Sequence, residues 1–158
     1  MEENLPKFYI DFNWYEKHGM SFNVVAQTRM CASCQSKLGA ETQERVPTVD
    51  KATGRVVYEI RTTRYGENPM HVIRNCCSKN RDYITLETPV AEAIFRAFLA
   101  SNNQPNDIET VRDLLSTYIP LSERPHGYNA ELVERVLRND QNYGLAEFGR
   151  VEELEPAR

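Results

Sequence analysis

All four thiols of this chain stand in two tight pairs. Cys31 and Cys34 lie in "CASC", and Cys76 and Cys77 lie side by side in "NCCSKN". A structural zinc ion takes about four N or S ligands at roughly 2.0–2.3 Å in a tetrahedron. A CxxC turn supplies two thiolates from one bend, and a second pair from elsewhere closes the site. Cys31, Cys34, Cys76 and Cys77 are therefore the expected metal ligands. Neighbours on a helix point about 100° apart, so Cys76 and Cys77 reach one ion only if their helix ends or unwinds there. The "SKN" that follows fits such an ending. If one of the two is instead buried on the helix face, His71, His18 or a nearby carboxylate is the reserve ligand.

Three other chemistries stay open for the same residues. Reduced cysteines can pack as small hydrophobes. A redox CxxC needs a lowered thiol pKa, usually at a helix start. Here Cys31 is expected to follow a helix over 22–30, whose C-terminal dipole end disfavours a thiolate. An iron–sulfur cluster also uses four cysteines, but this spacing matches neither ferredoxin pattern.

No other catalytic constellation is visible. The chain has no Gly-rich phosphate loop, no HExxH and no GxSxG. His18, His71 and His126 are scattered in sequence. The expectation is a protein that is not an enzyme, with a thiol redox enzyme as the alternative.

The elements that must position the cysteines can be read from periodicity and caps. Leu5–Ile10 reads as extended, and Asp11 caps a short helix that Gly19 stops. Ser21 caps the helix over 22–30, with Phe22, Val25, Ala26 and Met30 at helical spacing. Residues 34–48, poor in apolar side chains, read as a loop. Val49 and the run Val56–Ile60 flank the turn-rich "DKATG" and predict a small hairpin. Asn68 and Pro69 open a short helix carrying Met70, Ile73 and Cys77 on one face. Clearer helices follow. Thr88 and Pro89 open one that runs to about Ser101, Asn106 with Glu109 forms a capping box for a second, and Asn129 caps a third.

Length and charge bound the rest. The chain has 158 residues, enough for one domain or two small ones, and a soft boundary is expected near residue 86. The expected division is a zinc-binding module over 1–86, a helical domain over 87–150 and an acidic tail over 151–158. No apolar run approaches the ~20 residues of a membrane span. The start "MEENLPKF" lacks the basic-then-apolar pattern of a signal peptide, so a cytoplasmic chain is expected. The net charge is −4, which opposes a protein built to coat nucleic acid. Residues 55–81 nevertheless hold six Lys and Arg against two Glu. Arg61, Arg64, Tyr65, Arg74, Lys79 and Arg81 are the candidate nucleic-acid-binding residues, combining phosphate contacts with a stacking ring. A solvated face is the simpler explanation of the same charges.

Two stretches resemble known structures. "CASC" resembles a zinc knuckle, without the proline and glycine often found around one. Residues 88–148 resemble the winged-helix or helix-turn-helix superfamily. The resemblance is carried by "AIFRAFLASNNQP", "DIETVRDLL", "NAELVERVLRND" and the "YGLAEF" segment, where a wing would begin. It implies either DNA binding through the third helix or a protein-docking role. The long "PLSERPHGY" connection, and Glu131 and Glu134 beside Arg135 and Arg138, favour docking.

Together these readings predict an α+β protein, in which a zinc-stapled module with a short hairpin precedes a winged-helix-like three-helix bundle. The expected function is a zinc-stabilised adaptor or regulator that docks on a macromolecular partner in transcription or translation. Protein–protein interaction is the expected mode of that docking, and nucleic acid could be reached through 55–81.

Overall fold

The computed structural model of the protein describes residues 5–120, 122–124 and 127–149. The acidic tail 151–158, the first four residues, Pro125 and His126 lie outside the described residues. The described chain is α+β. Strand β1 (Phe8–Ile10) leads to three short helices, α1 (Phe12–Lys17), α2 (Phe22–Gln27) and α3 (Ala32–Gln35). A hairpin of β2 (Glu41–Val49) and β3 (Val56–Arg64) follows, then α4 (Pro69–Asn75) and a 3-10 turn at Cys77–Lys79. Helices α5 (Val90–Ala100), α6 (Ile108–Tyr118) and α7 (Ala130–Asn139) complete the helical body, and β4 (Leu145–Glu147) returns beside β1.

Local chemistry sets most element starts. The side chains of Asp11, Ser21, Asn68 and Asn129 accept from the backbone N–H of Asn13, Val24, His71 and Leu132, each satisfying a donor that the first turn leaves free. Two expected caps are corrected. Pro89 itself is the N-cap of α5, while the Thr88 hydroxyl accepts from Thr85 N–H. Asp107, not Asn106, caps α6, accepting from Thr110 N–H at 2.9 Å. Asn106 is used elsewhere, exchanging both backbone hydrogen bonds with Phe8.

The expected loop over 34–48 is also corrected. Cys34 and Gln35 belong to α3, and Glu41–Val49 is the first strand of a hairpin with nine residues per strand. The register pairs Glu41 with Arg64 and Val49 with Val56. Apolar content failed as a signal here because no described side chain of β2 or β3 is buried. Pro47 is tolerated because β2 has no partner on its outer side.

The core is one cluster that crosses residue 86. It joins Phe8, Ile10, Tyr15, Ile73 and Tyr83 to Phe95, Phe98, Leu99, Leu115, Leu137 and Leu145, all at most 5% exposed. Each such side chain contributes about 1.5–3 kcal/mol by leaving water. Helix α5 is central, with six of its residues buried. β1 docks on its end through Asn103, whose side chain bonds both Ile10 N–H (2.8 Å) and Ile10 C=O (2.9 Å). β4 pairs with β1, Ile10 facing Leu145.

Candidate metal centre

α2 is shorter than its periodicity implies. It ends at Gln27, and the backbone turns through Thr28–Met30 before Cys31. Cys31 then stands as the N-cap of α3, with extended φ and ψ of −71° and 163°. This corrects the expectation that Cys31 sits at a helix C-terminus. The thiol lies at the favourable end of a helical turn, beside the Cys34 backbone amide, although α3 has no side-chain cap hydrogen bond. The influence of that Cys34 amide is the main reason the Cys31 pKa falls to about 7.

The second pair arrives as its chemistry requires. α4 stops at Asn75, Cys76 adopts φ −134° and ψ −65°, and Cys77 opens a 3-10 turn. This break in the helix lets adjacent cysteines point into one site. All four Sγ atoms lie within 4.8 Å of one another, and Cys34 Sγ is 3.6 Å from Cys76 Sγ. A zinc–sulfur distance of about 2.3 Å implies tetrahedral edges of about 3.8 Å, so small contractions would bring this set to coordination distance. The four are free thiols.

The surroundings fit a bound cation. Cys31 N–H donates to Cys77 Sγ at 3.1 Å, and the Tyr65 hydroxyl lies 3.2 Å from Cys34 Sγ. Such bonds orient and stabilise thiolate ligands. Burial pushes the Cys77 thiol up to about 12. The shared hydrogen bond with Cys34 is the main cause raising Cys76, and the same sulfur helps push Tyr65 up to about 12. Four thiolates cannot share this space without a compensating charge, and a divalent cation supplies it. Cys34 and Cys77 are buried, Cys31 is half-buried and Cys76 is exposed. A cleft of about 850 Å³ opens on the exposed side, walled by Cys31, Cys76, Cys77, Arg81, Tyr83 and Arg96.

Helix α5 holds both cysteine segments in place. Arg29, two residues before Cys31, makes a two-bond ion pair with Glu92 (2.7 and 2.8 Å). The Arg29 guanidinium also lies 5.0 Å from the Phe95 ring centroid. Glu92 pairs in turn with Arg96 at 2.7 Å. Beyond Cys77, Tyr83 donates to the Arg96 carbonyl (2.6 Å) and accepts on its own carbonyl from the Arg96 guanidinium (3.0 Å). The sequence reading missed Arg29, Tyr83 and Glu92 as positioning residues. Only the Glu92–Arg96 spacing of four carried a trace of this in the sequence.

The hairpin base closes the site from the other side. Gly39 and Ala40 pair with Tyr65 through backbone bonds of 3.1 and 2.7 Å. Gln27 donates to the Gly66 carbonyl at 3.0 Å. Gly66 has φ +83°, a left-handed conformation that favours glycine, and a Cβ there would also push the Leu38 side chain aside.

The reserve ligands are placed elsewhere. Among the described residues, the sulfur cluster includes no histidine. His18 stacks on Trp14 at 4.2 Å and bonds the Trp14 carbonyl. His71 is exposed beside Asn75. The nucleic-acid candidates are spread over several elements. Arg61 and Arg64 are on β3, Arg74 is on α4, and Lys79 and Arg81 surround the 3-10 turn, all exposed. Tyr65 is half-buried with its hydroxyl on Cys34 and Lys37 5.5 Å from its ring. Compared with family models, curated proteins and solved structures, the chain matches none.

Proposed function

We propose that this protein is a non-enzymatic adaptor whose N-terminal half is fastened by zinc, and that it docks on a macromolecular partner. The carrying observation is the convergence of all four sulfurs within 4.8 Å from segments on either side of a long hairpin. Zinc is the ion of choice for four thiolates in a tetrahedral, largely closed structural site. Cys31, Cys34, Cys76 and Cys77 would hold it, and its role is to clamp the hairpin base to the helical body. The helices α5–α7, read as winged-helix-like, serve in this proposal as the platform for docking. A role in transcription or translation, with contacts to nucleic acid by the basic 55–81 segment, extends the same reading.

The test is metal analysis of protein expressed with ample zinc. About one zinc per chain is expected, and near none in Cys34→Ser. Folded wild-type protein with no metal would sink the reading.

One observation favours a second reading. Cys31 opens a helical turn and its thiol sits near 7, features of a redox CxxC. Thiol labelling followed by mass separates the two. The adaptor reading expects slow labelling at neutral pH until a chelator is added. Fast labelling of Cys31 without chelator, together with turnover of a disulfide substrate, would establish the redox enzyme instead.

A further inference from the structure

The hairpin is longer than the metal site requires. Only its base, at Gly39–Ala40 and Tyr65, closes on the sulfur cluster. Nine residues per strand extend the arm by roughly 30 Å at about 3.3 Å per residue, and no described side chain of it enters the core. Such a two-stranded sheet is marginal in water by itself.

The register sorts the arm into two faces. One face places Val49 opposite Val56, Pro47 opposite Tyr58 and Arg45 opposite Ile60. Val49, Val56, Tyr58 and Ile60 are 63, 60, 58 and 68% exposed. They and Pro47 form roughly 500 Å² of apolar surface, the size of the largest patch on an ordinary monomer, which is often functional. The Arg45 guanidinium lies 5.1 Å from the Tyr58 ring centroid. Arg64 stands on the same face, with Glu41 its only acid, while Glu59 falls on the other. Lys51 and Arg55 flank Asp50 at the tip. The exposed face is thus an apolar strip with a cationic rim.

These features choose among occupants. A second copy stacked face to face would bury about 1,000 Å², below the ~1,600 Å² of a stable interface, and would set two cationic rims together. A nucleic acid offers phosphates to the rim but little to an aliphatic centre, and its interfaces are more polar and more basic than this. An acidic protein segment with apolar side chains satisfies both parts. Tyr and Arg at the centre of the strip are the residue types that anchor such contacts.

We propose that this face of the β2–β3 arm docks an acidic, apolar-bearing segment of a partner protein. Its apolar side chains lie on Val49, Val56, Tyr58 and Ile60, and its carboxylates meet Arg45 and Arg64. The proposal rests on the adaptor reading and names the partner's chemistry.

The test uses the full, metal-loaded chain to select from a phage-displayed library of random 12-residue peptides. Enrichment of peptides with apolar residues flanked by Asp or Glu is expected. Synthetic copies of these should bind at least tenfold more weakly to Ile60→Asp and to Arg45→Glu, both with unchanged Tm and zinc content. No enrichment, or peptides indifferent to both substitutions, overturns the proposal. So does a concentration-dependent dimer that Ile60→Asp abolishes in sedimentation, which assigns the face to a second copy. A labelled single-stranded oligonucleotide that binds wild type and is lost in Ile60→Asp overturns it in favour of nucleic acid. Zinc content keeps the two failures apart. Full metal with no peptide binding refutes the docking face alone, whereas folded metal-free protein refutes the adaptor reading beneath it.

Discussion

The helical body and the hairpin arm are held by different physics. In the body, α5 buries Ile94, Phe95, Phe98 and Leu99 at no more than 1% exposure against α6, α7 and β1. In the arm, Val49, Val56, Tyr58 and Ile60 remain mostly exposed, and its attachment is a few backbone bonds beside four sulfurs. The body is stabilised by area removed from water, which is spread over many side chains. The arm meets the helical body at one site, and in the proposed reading a metal ion held there fastens it. A region with so little buried surface needs a staple to stay ordered, and the cysteines are placed to provide it.

Removing the staple should give the largest effect. Structural zinc in small modules contributes on the order of 10 kcal/mol. A strong chelator should therefore strip amide-exchange protection from Gly39, Tyr65 and the two cysteine turns, and lower Tm by about 10 °C or more. Protection in α5–α7 should persist well into the titration. Uniform loss across both regions would show that they share one support, and an unchanged Tm would show that the sulfurs hold nothing.

Phe98→Ala attacks the other region. A buried Phe truncated to Ala costs about 3–5 kcal/mol through lost transfer energy and a cavity. Chemical denaturation should report that loss, while the folded fraction keeps its zinc. A mutant that loses metal at full folding would couple the regions more tightly than their contacts imply.

The Arg29–Glu92–Arg96 link between the regions should respond to acid. Burial pushes the Glu92 carboxyl up, but hydrogen bonds from Arg29 and Arg96 outweigh it and hold it at about 2, against an ordinary 4.5. The folded pKa is the lower one, so the stabilisation is complete above pH 4.5 and is lost as pH falls toward 2. At 1.36 kcal/mol per unit this amounts to about 3 kcal/mol at neutral pH. Glu92→Gln should be less stable than wild type at pH 7, and the gap should narrow steadily between pH 4.5 and 3. A gap independent of pH would remove the ion pairs as the cause.

The smallest stability change is expected from Arg61, Arg64 and Arg81 changed together to Ala. All three are exposed, so stability should move by less than about 0.5 kcal/mol per site. Any affinity for nucleic acid should fall, and its salt dependence should flatten. Loss of binding from Arg135 and Arg138 alone would move that contact from the arm and its base to α7.

Much of the local structure was legible. Asp11, Ser21, Asn68 and Asn129 announce helix starts because a short polar side chain before an apolar-periodic run has one favourable use. The break at Cys76 fits the "SKN" that follows the pair, and the paired cysteines were legible in their spacing. The strand over 41–49 was not, because a strand with two wet faces carries no apolar alternation. The cap at Asp107 was misassigned to Asn106 because two capable residues adjoin, and the bridge to Phe8 that occupies Asn106 is remote in sequence.

By itself the sequence determined the α+β class, the helix caps at Asp11, Ser21, Asn68 and Asn129, the hairpin turn at 50–54 and the identity of the four sulfurs. These are short-range matters, settled by side-chain chemistry within a few residues. Only the tertiary structure decided that the four sulfurs converge, that Cys31 opens a turn, and that neither His18 nor His71 joins them. The pairing of β1 with β4 and the straps from Arg29 and Tyr83 to α5 were decided there too. The convergence, the strand pairing and the straps depend on groups from 13 to more than 100 residues apart meeting across the fold. Spacing along a chain does not encode such meetings, because they follow from how the buried faces of α2, α4 and α5 pack together.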